Sequence, residues 1–132
     1  MENDAIELEP IGIIRSPLKD PSQAPKQGSE GAVEGWLEVD DHYRDALLGL
    51  EPGRKVLILY WLDRADRSRL QVHPRGDTSR PLRGVFATRS PHRPNPIAVE
   101  TVEILEIQGT RLRVRGLDAL DGTPLLDIKI AA

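Results

Sequence analysis

The chain has 132 residues, of which 39% are hydrophobic and 30% charged, and it carries a net charge of −3 with a pI near 5.6. A chain of this length is expected to form one domain, residues 1–132, with a real core, and its acidic balance speaks against a protein that coats nucleic acid non-specifically. With no cysteine a disulfide framework and a thiolate metal site are excluded, and with no signal-peptide pattern in "MENDAIELEPIG" and no apolar run near the roughly 18 residues of a membrane span, a cytoplasmic location without membrane contact is the expectation.

In chain order, "PIGIIRS" (10–16) is a short β-branched strand candidate stopped by Pro17. Residues 17–32 are rich in Pro, Gly and Ser and read as a long loop between core-like segments. "AVEGWLEV" alternates, with Val33, Gly35, Leu37 and Val39 on one face, as a strand does. "DDHYRDALLGLEPG" predicts one short helix, with Asp40 or Asp41 as N-cap and Pro52-Gly53 as its stop. "KVLILYWL" (55–62) is the most apolar run and is expected to be a buried central strand. "RLQVHP" and "RGVFAT" are two further strand candidates, and "IAVETVEILEI" and "RLRVRGL" are two more, joined by a Gln108-Gly109-Thr110 turn. A last turn at 120–124 leads into "LLDIKI", where Leu126, Ile128 and Ile130 alternate with Asp127 and Lys129. Short strands separated by turns, with one short helix, indicate an all-β protein, a small, mostly antiparallel barrel or sandwich.

Few familiar chemistries fit. His42, His73 and His92 are far apart in sequence with no cysteine beside them, so no metal site is expected. Ser90 lacks the Gly-x-Ser-x-Gly elbow of many hydrolases, and no dinucleotide or phosphate-loop glycine pattern occurs. Two segments stand out. "TRSPHRPNPI" (88–97) holds three prolines and two arginines, and the prolines keep Ser90, Arg93 and Asn95 extended. It fits a solvated turn, a Pro-x-x-P docking ligand or a preorganised anion site. Arg75, Arg80, Arg83, Arg89 and Arg93 face a single acid, Asp77, across 75–93, a local balance of +4 in a negative protein, which suits a phosphate- or carboxylate-bearing partner or a solvated loop. The second segment, "LDALDGTPLLDIK" (117–129), contains an Asp121-Gly122-Thr123-Pro124 turn; its glycine permits positive φ and close approach of a ligand, and a plain hairpin turn fits equally. Asp127 and Lys129 share a strand face and suit a surface pair.

"GVFATRSPHRPNPIAVETVEIL" followed by "GLDALDGTPLLDIK" resembles the TsaA-like family, also called the TrmO-like methyltransferases, in both motifs, their order and their spacing. The early "IGIIRSP" and "PKQG" are similar to that family's opening strand and its Pro-Arg-Gln loop. The resemblance implies a small β-barrel, S-adenosylmethionine as cofactor, and a homodimer with the site near the subunit interface. It further implies methylation of the threonylcarbamoyl-modified adenosine of tRNA. Carried over by position, the cofactor contacts fall on Pro25, Lys26 and Gln27, on Arg89 and Val99, and on Leu120, Asp121, Gly122 and Thr123. In this reading Arg89 or Lys26 holds the methionine carboxylate, Val99 packs on the adenine, and Arg93 and Asn95 face the acceptor or fix the loop.

Methyl transfer is mainly a matter of positioning. A nitrogen acceptor must also lose a proton; His92, Asp121 and Asp127 are the candidate bases, with water as the alternative. The chain departs from the longer family members in carrying Lys55-Val56-Leu57-Ile58 where they have a Ser-His-Leu-Trp type sequence. "HPRGDTSRPLRG" is a candidate substrate loop of a shorter subgroup with a different acceptor, and methylation of a small-molecule acceptor is the alternative activity. The competing readings are a module that binds the cofactor or an anion without turnover, and a docking peptide at Pro91 and Pro94. Trp36, Tyr60 and Trp61 are candidates for either a dimer interface or the core.

Overall fold

The computed structural model describes residues 4–20 and 33–132. Its strands are β1 (Gly12–Arg15), β2 (Glu34–Val39), β3 (Lys55–Trp61), β4 (Gln71–Val72), β5 (Arg83–Gly84), β6 (Ile97–Gln108), β7 (Arg111–Arg115) and β8 (Thr123–Ile130). Six of them close into an antiparallel barrel in the order β1-β2-β7-β6-β3-β8, so the all-β barrel is the observed fold.

Period-two alternation builds the wall. Gly35, Leu37 and Val39 on β2 and Val56, Ile58 and Tyr60 on β3 point inward and are buried, while the residues between them are only half-covered or exposed. β3 is the buried central strand expected, flanked by β6 and β8, with one dry face as in a closed barrel. Ile14, Leu112, Val114 and Leu125 complete a core of fully buried aliphatics, each contributing about 1.5–3 kcal/mol by leaving water. At Gly35 the wall packs so closely that a Cβ would lie 2.3 Å from the Arg15 carbonyl oxygen and 2.7 Å from Leu117 Cδ1.

Three local expectations change. The helix is a 3-10 helix, Asp41–Leu47, capped by Asp40, whose side chain accepts from the His42 N–H. The Leu126, Ile128, Ile130 face of β8 is interrupted by a register shift opposite Leu59 and Tyr60: Ile130 pairs with Val56, Ile128 with Ile58, and Leu125 rather than Leu126 with Tyr60. The two strand candidates around the arginine cluster shrink to the two-residue β4 and β5, each followed by a 3-10 turn, Pro74–Gly76 after the first and Val85–Ala87 after the second. Between β3 and β6 the chain thus throws out an arm, residues 62–96, that stands outside the barrel sheet.

β6 positions the site. Its first half pairs with β3, from Lys55 opposite Glu103 to Trp61 opposite Ile97, whereas β7 joins it only from Glu103 onward. At Gly116 (φ 108) the chain leaves β7 and turns toward Leu117 and Asp118, so β6 from Ile97 to Val102 has a strand neighbour on one side only. No helix among the described residues is long and apolar enough to cross a membrane.

Candidate functional site

An open cleft of about 1810 Å³ lies between the arm and the first half of β6, larger than the roughly 300–1,000 Å³ of a usual small-ligand pocket. Six arginines of the arm line it: Arg69, Arg75, Arg80, Arg83, Arg89 and Arg93. Arg69 and Arg80 lean on Asp66 and Asp77 at 3.7 and 3.6 Å, but the side chains of Arg75, Arg83 and Arg89 make no hydrogen bond or ion pair among the described residues. Arg75 itself sits in the left-handed region (φ 56), followed by Gly76 at φ 69, a conformation that costs an arginine about 1 kcal/mol.

The proline motif is held by its own side chains. Thr88 Oγ1 donates to the Val85 carbonyl and accepts from the Ser90 N–H, and Ser90 Oγ accepts from the His92 N–H. The Arg93 guanidinium donates to the Val85 carbonyl at 2.8 Å and to those of Thr88 and Ser90 at 3.3 Å. It is a clip that fixes the loop. Arg67 does the same from the other side, donating to the Pro94 carbonyl at 2.8 Å and to Asn95 Oδ1 at 3.5 Å while lying over the Trp61 ring. His92 Nδ1 accepts from the Asp66 N–H at 2.9 Å, so in the neutral ring the proton sits on Nε2 and Nδ1 is engaged by the backbone.

The second turn forms as expected, with Gly122 at φ 85, but its N–H groups are used internally. Asp121 N–H donates to the Leu18 carbonyl, Gly122 N–H to that of Ile14 and Thr123 N–H to that of Leu120. The carbonyls and the Leu120 N–H are left to read a ligand. The Asp121 carboxylate accepts from the Ser16 N–H at 3.0 Å and from Lys19 Nζ at 2.9 Å, with Arg15 3.8 Å away, and these hold its pKa below the usual carboxylate value, Lys19 foremost. Asp127 is exposed and pairs with Lys129 at 3.5 Å. Neither carboxylate faces the cleft as a free base.

The nominated residues therefore fall into two groups. Arg89, His92, Arg93 and Val99 line the large cleft, while Asp121 borders a smaller concavity of about 360 Å³ beside Arg15, Ser16 and Trp36. Pro25, Lys26 and Gln27 lie outside the described residues. Val99 is on the outer face of β6, 45% exposed, near the equally uncovered Ile97 and beneath an arm that exposes Leu82 and Phe86. Tyr60 is core, whereas Trp36 and Trp61 are half-covered, each under an arginine.

Two carboxyls emerge at the bottom of the cleft that the sequence reading passed over. Glu100 is the inward residue opposite Ile58, and both of its oxygens accept from the Asp118 N–H at 3.2 Å. Burial pushes its carboxyl up to about 8; the Asp118 N–H opposes the rise, the Asp118 charge adds to it, and a hydrogen bond from Tyr60 opposes it again. The Tyr60 hydroxyl is raised in turn, first by burial and then by Glu100. Asp118 is raised by burial, and its Oδ1 is buried without a hydrogen-bond partner.

These features meet the demands of an S-adenosylmethionine-sized ligand: an unpartnered guanidinium at Arg89, uncovered aliphatics at Ile97 and Val99, and an orphaned carboxylate oxygen at Asp118. The comparisons with known proteins agree. The chain is 49% identical to a protein of Archaeoglobus fulgidus named an S-adenosyl-L-methionine-binding protein, over 92% of this chain and 86% of the relative. It is also 49% identical to a probable S-adenosyl-L-methionine-binding protein of Methanothermobacter thermautotrophicus, over 98% of this chain and 92% of that one. The crystal structure of TrmO from Pseudomonas aeruginosa superposes with a TM-score of 0.80 at 36% identity, covering 99% of this chain and 58% of the TrmO chain. The chain thus spans little more than half of TrmO. Residues 13–130 match the family model of the tRNA-methyltransferase O N-terminal domain, and with the barrel, the proline motif and the close relatives in agreement, the chain belongs to this family of S-adenosylmethionine-dependent methyltransferases.

Proposed function

We propose that this protein binds S-adenosylmethionine and methylates an adenosine in tRNA, with the threonylcarbamoyl-modified adenosine as the acceptor. The observation that carries the reading is the cleft itself: three arginines with unpartnered side chains on the arm face uncovered aliphatics and the half-buried Glu100 on β6, with Asp118 beside it. Family membership and the relatives' names support the cofactor. Arg89 would hold the methionine carboxylate by a charge-assisted bond and Val99 would pack on the adenine. The cofactor, when bound, supplies an electrophilic methyl group on a sulfonium. Arg75 and Arg83 would meet the phosphates of the tRNA, a contact that an otherwise acidic chain makes only through such a local cluster.

We further propose a homodimer. The two groups of nominated residues border different concavities of one protomer, and Ile97, Val99, Leu82 and Phe86 remain uncovered; a partner across this face would bring the second turn of one subunit to the cleft of the other. In this reading residues 1–132 are one domain acting in the cytoplasm, where its tRNA substrate is.

Calorimetric titration with S-adenosylmethionine, followed by transfer of labelled methyl to unfractionated tRNA, tests the proposal. Saturable binding lost in Arg89→Ala, with label entering tRNA, is the expected result; binding without transfer to any acceptor would leave a non-catalytic binding module. Sedimentation tests the dimer, and a strict monomer under assay conditions would refute the shared site.

A further inference from the structure

We propose that Glu100 is the proton acceptor for the methyl-accepting nitrogen, held in place by Tyr60 and Asp118. The inference rests on the methyltransferase reading and identifies the general base, a role that none of the candidate residues of the sequence fills in this structure. His92 already accepts at Nδ1, Asp121 is tied to Lys19 and the Ser16 N–H, and Asp127 pairs with Lys129 outside the cleft.

Three acids line the cleft: Glu100, Glu103 and Asp118. Glu103 is paired with Arg115 at 2.9 Å. Glu100 and Asp118 have no cation partner among the described residues, although the opposite wall of the cleft is rich in arginine. The position of Glu100 is informative. The inward series of β6 runs Ala98, Glu100, Val102, Ile104, with Ile58 across from Glu100, so packing alone calls for an aliphatic residue there. A half-buried carboxyl without a cation partner destabilises a fold, and such local violations concentrate at functional sites. Its neighbours also orient it. Asp118 from the turn after β7 donates its N–H, the Tyr60 hydroxyl from β3 is close enough to favour the charged carboxyl, and Asp118 keeps a buried oxygen without a partner. These are the titratable groups acting on it; Arg115 at the end of β7 is engaged by Glu103.

The proton balance is simple. The acceptor nitrogen forms its new N–C bond with its lone pair, while the electron pair of the broken S–C bond stays on the donor sulfur. The N–H proton then passes to a Glu100 carboxylate oxygen, leaving a neutral methylated nitrogen and a protonated Glu100 that solvent recharges. A base of this kind contributes typically 10²–10⁴-fold.

The test combines a pH profile with a direct titration. In the intact protein, kcat/KM for methyl transfer from S-adenosylmethionine to unfractionated tRNA is expected to rise with pH to a plateau, with a midpoint near 8. Glu100→Gln should lower kcat by on the order of 10²-fold, abolish the limb and leave the calorimetric affinity for S-adenosylmethionine unchanged. Two positioning variants should move the midpoint in opposite directions. Asp118→Asn removes a neighbouring negative charge and shifts it down; Tyr60→Phe removes a bond to the carboxylate and shifts it up. A carbon-13 titration of the Glu100 carboxyl in the free protein should show the same elevated midpoint. An ordinary carboxylate titration, or wild-type turnover with an unchanged limb in Glu100→Gln, would overturn the assignment alone. Wild-type protein that binds S-adenosylmethionine and methylates nothing would overturn the methyltransferase reading, and this assignment with it.

Discussion

Replacing Glu100 by glutamine removes an ionisation while keeping the shape and a carbonyl that can still accept from Tyr60 and Asp118, so its effect on stability can be worked out. Burial raises the carboxyl from 4.5 to about 8. Across that window the folded protein keeps a proton that the unfolded chain has released, so the contribution of Glu100 to stability falls as pH rises from 4.5 to 8. At about 1.4 kcal/mol per tenfold the full loss is roughly 5 kcal/mol. Water entry into the cleft and imperfect hydrogen bonding by the amide reduce the recoverable part to about 2–3 kcal/mol. For a domain of this size that is a rise in Tm of about 10 °C at pH 9, shrinking to about 1 kcal/mol or less near pH 5, where the folded wild-type carboxyl is already neutral. Thermal unfolding of both proteins at pH 5, 7 and 9, followed by circular dichroism, reads the difference. A Tm gap that does not grow with pH, or a variant less stable than wild type at pH 9, would refute the burial argument. With the kinetic test, the same substitution should make the protein sturdier and slower, the usual trade at a strained site.

Other expectations follow from the same contacts. Asp121→Asn loses the Lys19 pair and weakens the bond from the Ser16 N–H, at a cost of about 1 kcal/mol after allowance for solvent screening. Because the carboxyl is held below its ordinary pKa, that contribution is present above the unfolded value and disappears as pH falls, so urea midpoints of variant and wild type should converge below about pH 3. Gly35→Ala drives a Cβ to 2.3 Å from the Arg15 carbonyl and should cost about 3 kcal/mol or more; an unchanged urea midpoint would show that β1 and β2 can separate freely. Arg75→Ala with Arg83→Ala removes two cations that make no internal bond. Stability should hold, while the slope of log Kd for tRNA against log salt flattens by about 2, and an unaltered slope would place the tRNA elsewhere.

The barrel was legible where alternation is clean, as in Gly35, Leu37 and Val39 or Val56, Ile58 and Tyr60, because one buried face imposes a period of two. It was not legible where the chain breaks that period. The register shift in β8 swaps Leu126 for Leu125 on the inner face, and "RGVFAT" reads as a strand although its pairing stops at Gly84 and leaves Phe86 82% exposed. The proline motif and the second turn were visible as motifs, yet their hydrogen bonds were not: nothing in "SPHRPNP" announces that Arg93 clips the loop to the Val85 carbonyl. Glu100 was within reach. In "IAVETVEILEI" the phase set by Val102 and Ile104 places Glu100 inward and Glu103 outward, so an acid on the apolar side of the pattern was the signal.

The strand order carries a consequence for synthesis of the chain. β8, the last strand of the barrel, lies between β1, the first, and β3. Until β8 leaves the ribosome the sheet stays an open sheet whose two outer strands, β1 and β3, offer bare backbone edges to any other nascent chain. Closure joins segments more than a hundred residues apart in one late step, which favours slow folding. Premature stops before Thr123 should therefore yield insoluble product rather than a shortened working protein, and co-expressed holdase chaperones should matter most until β8 has emerged.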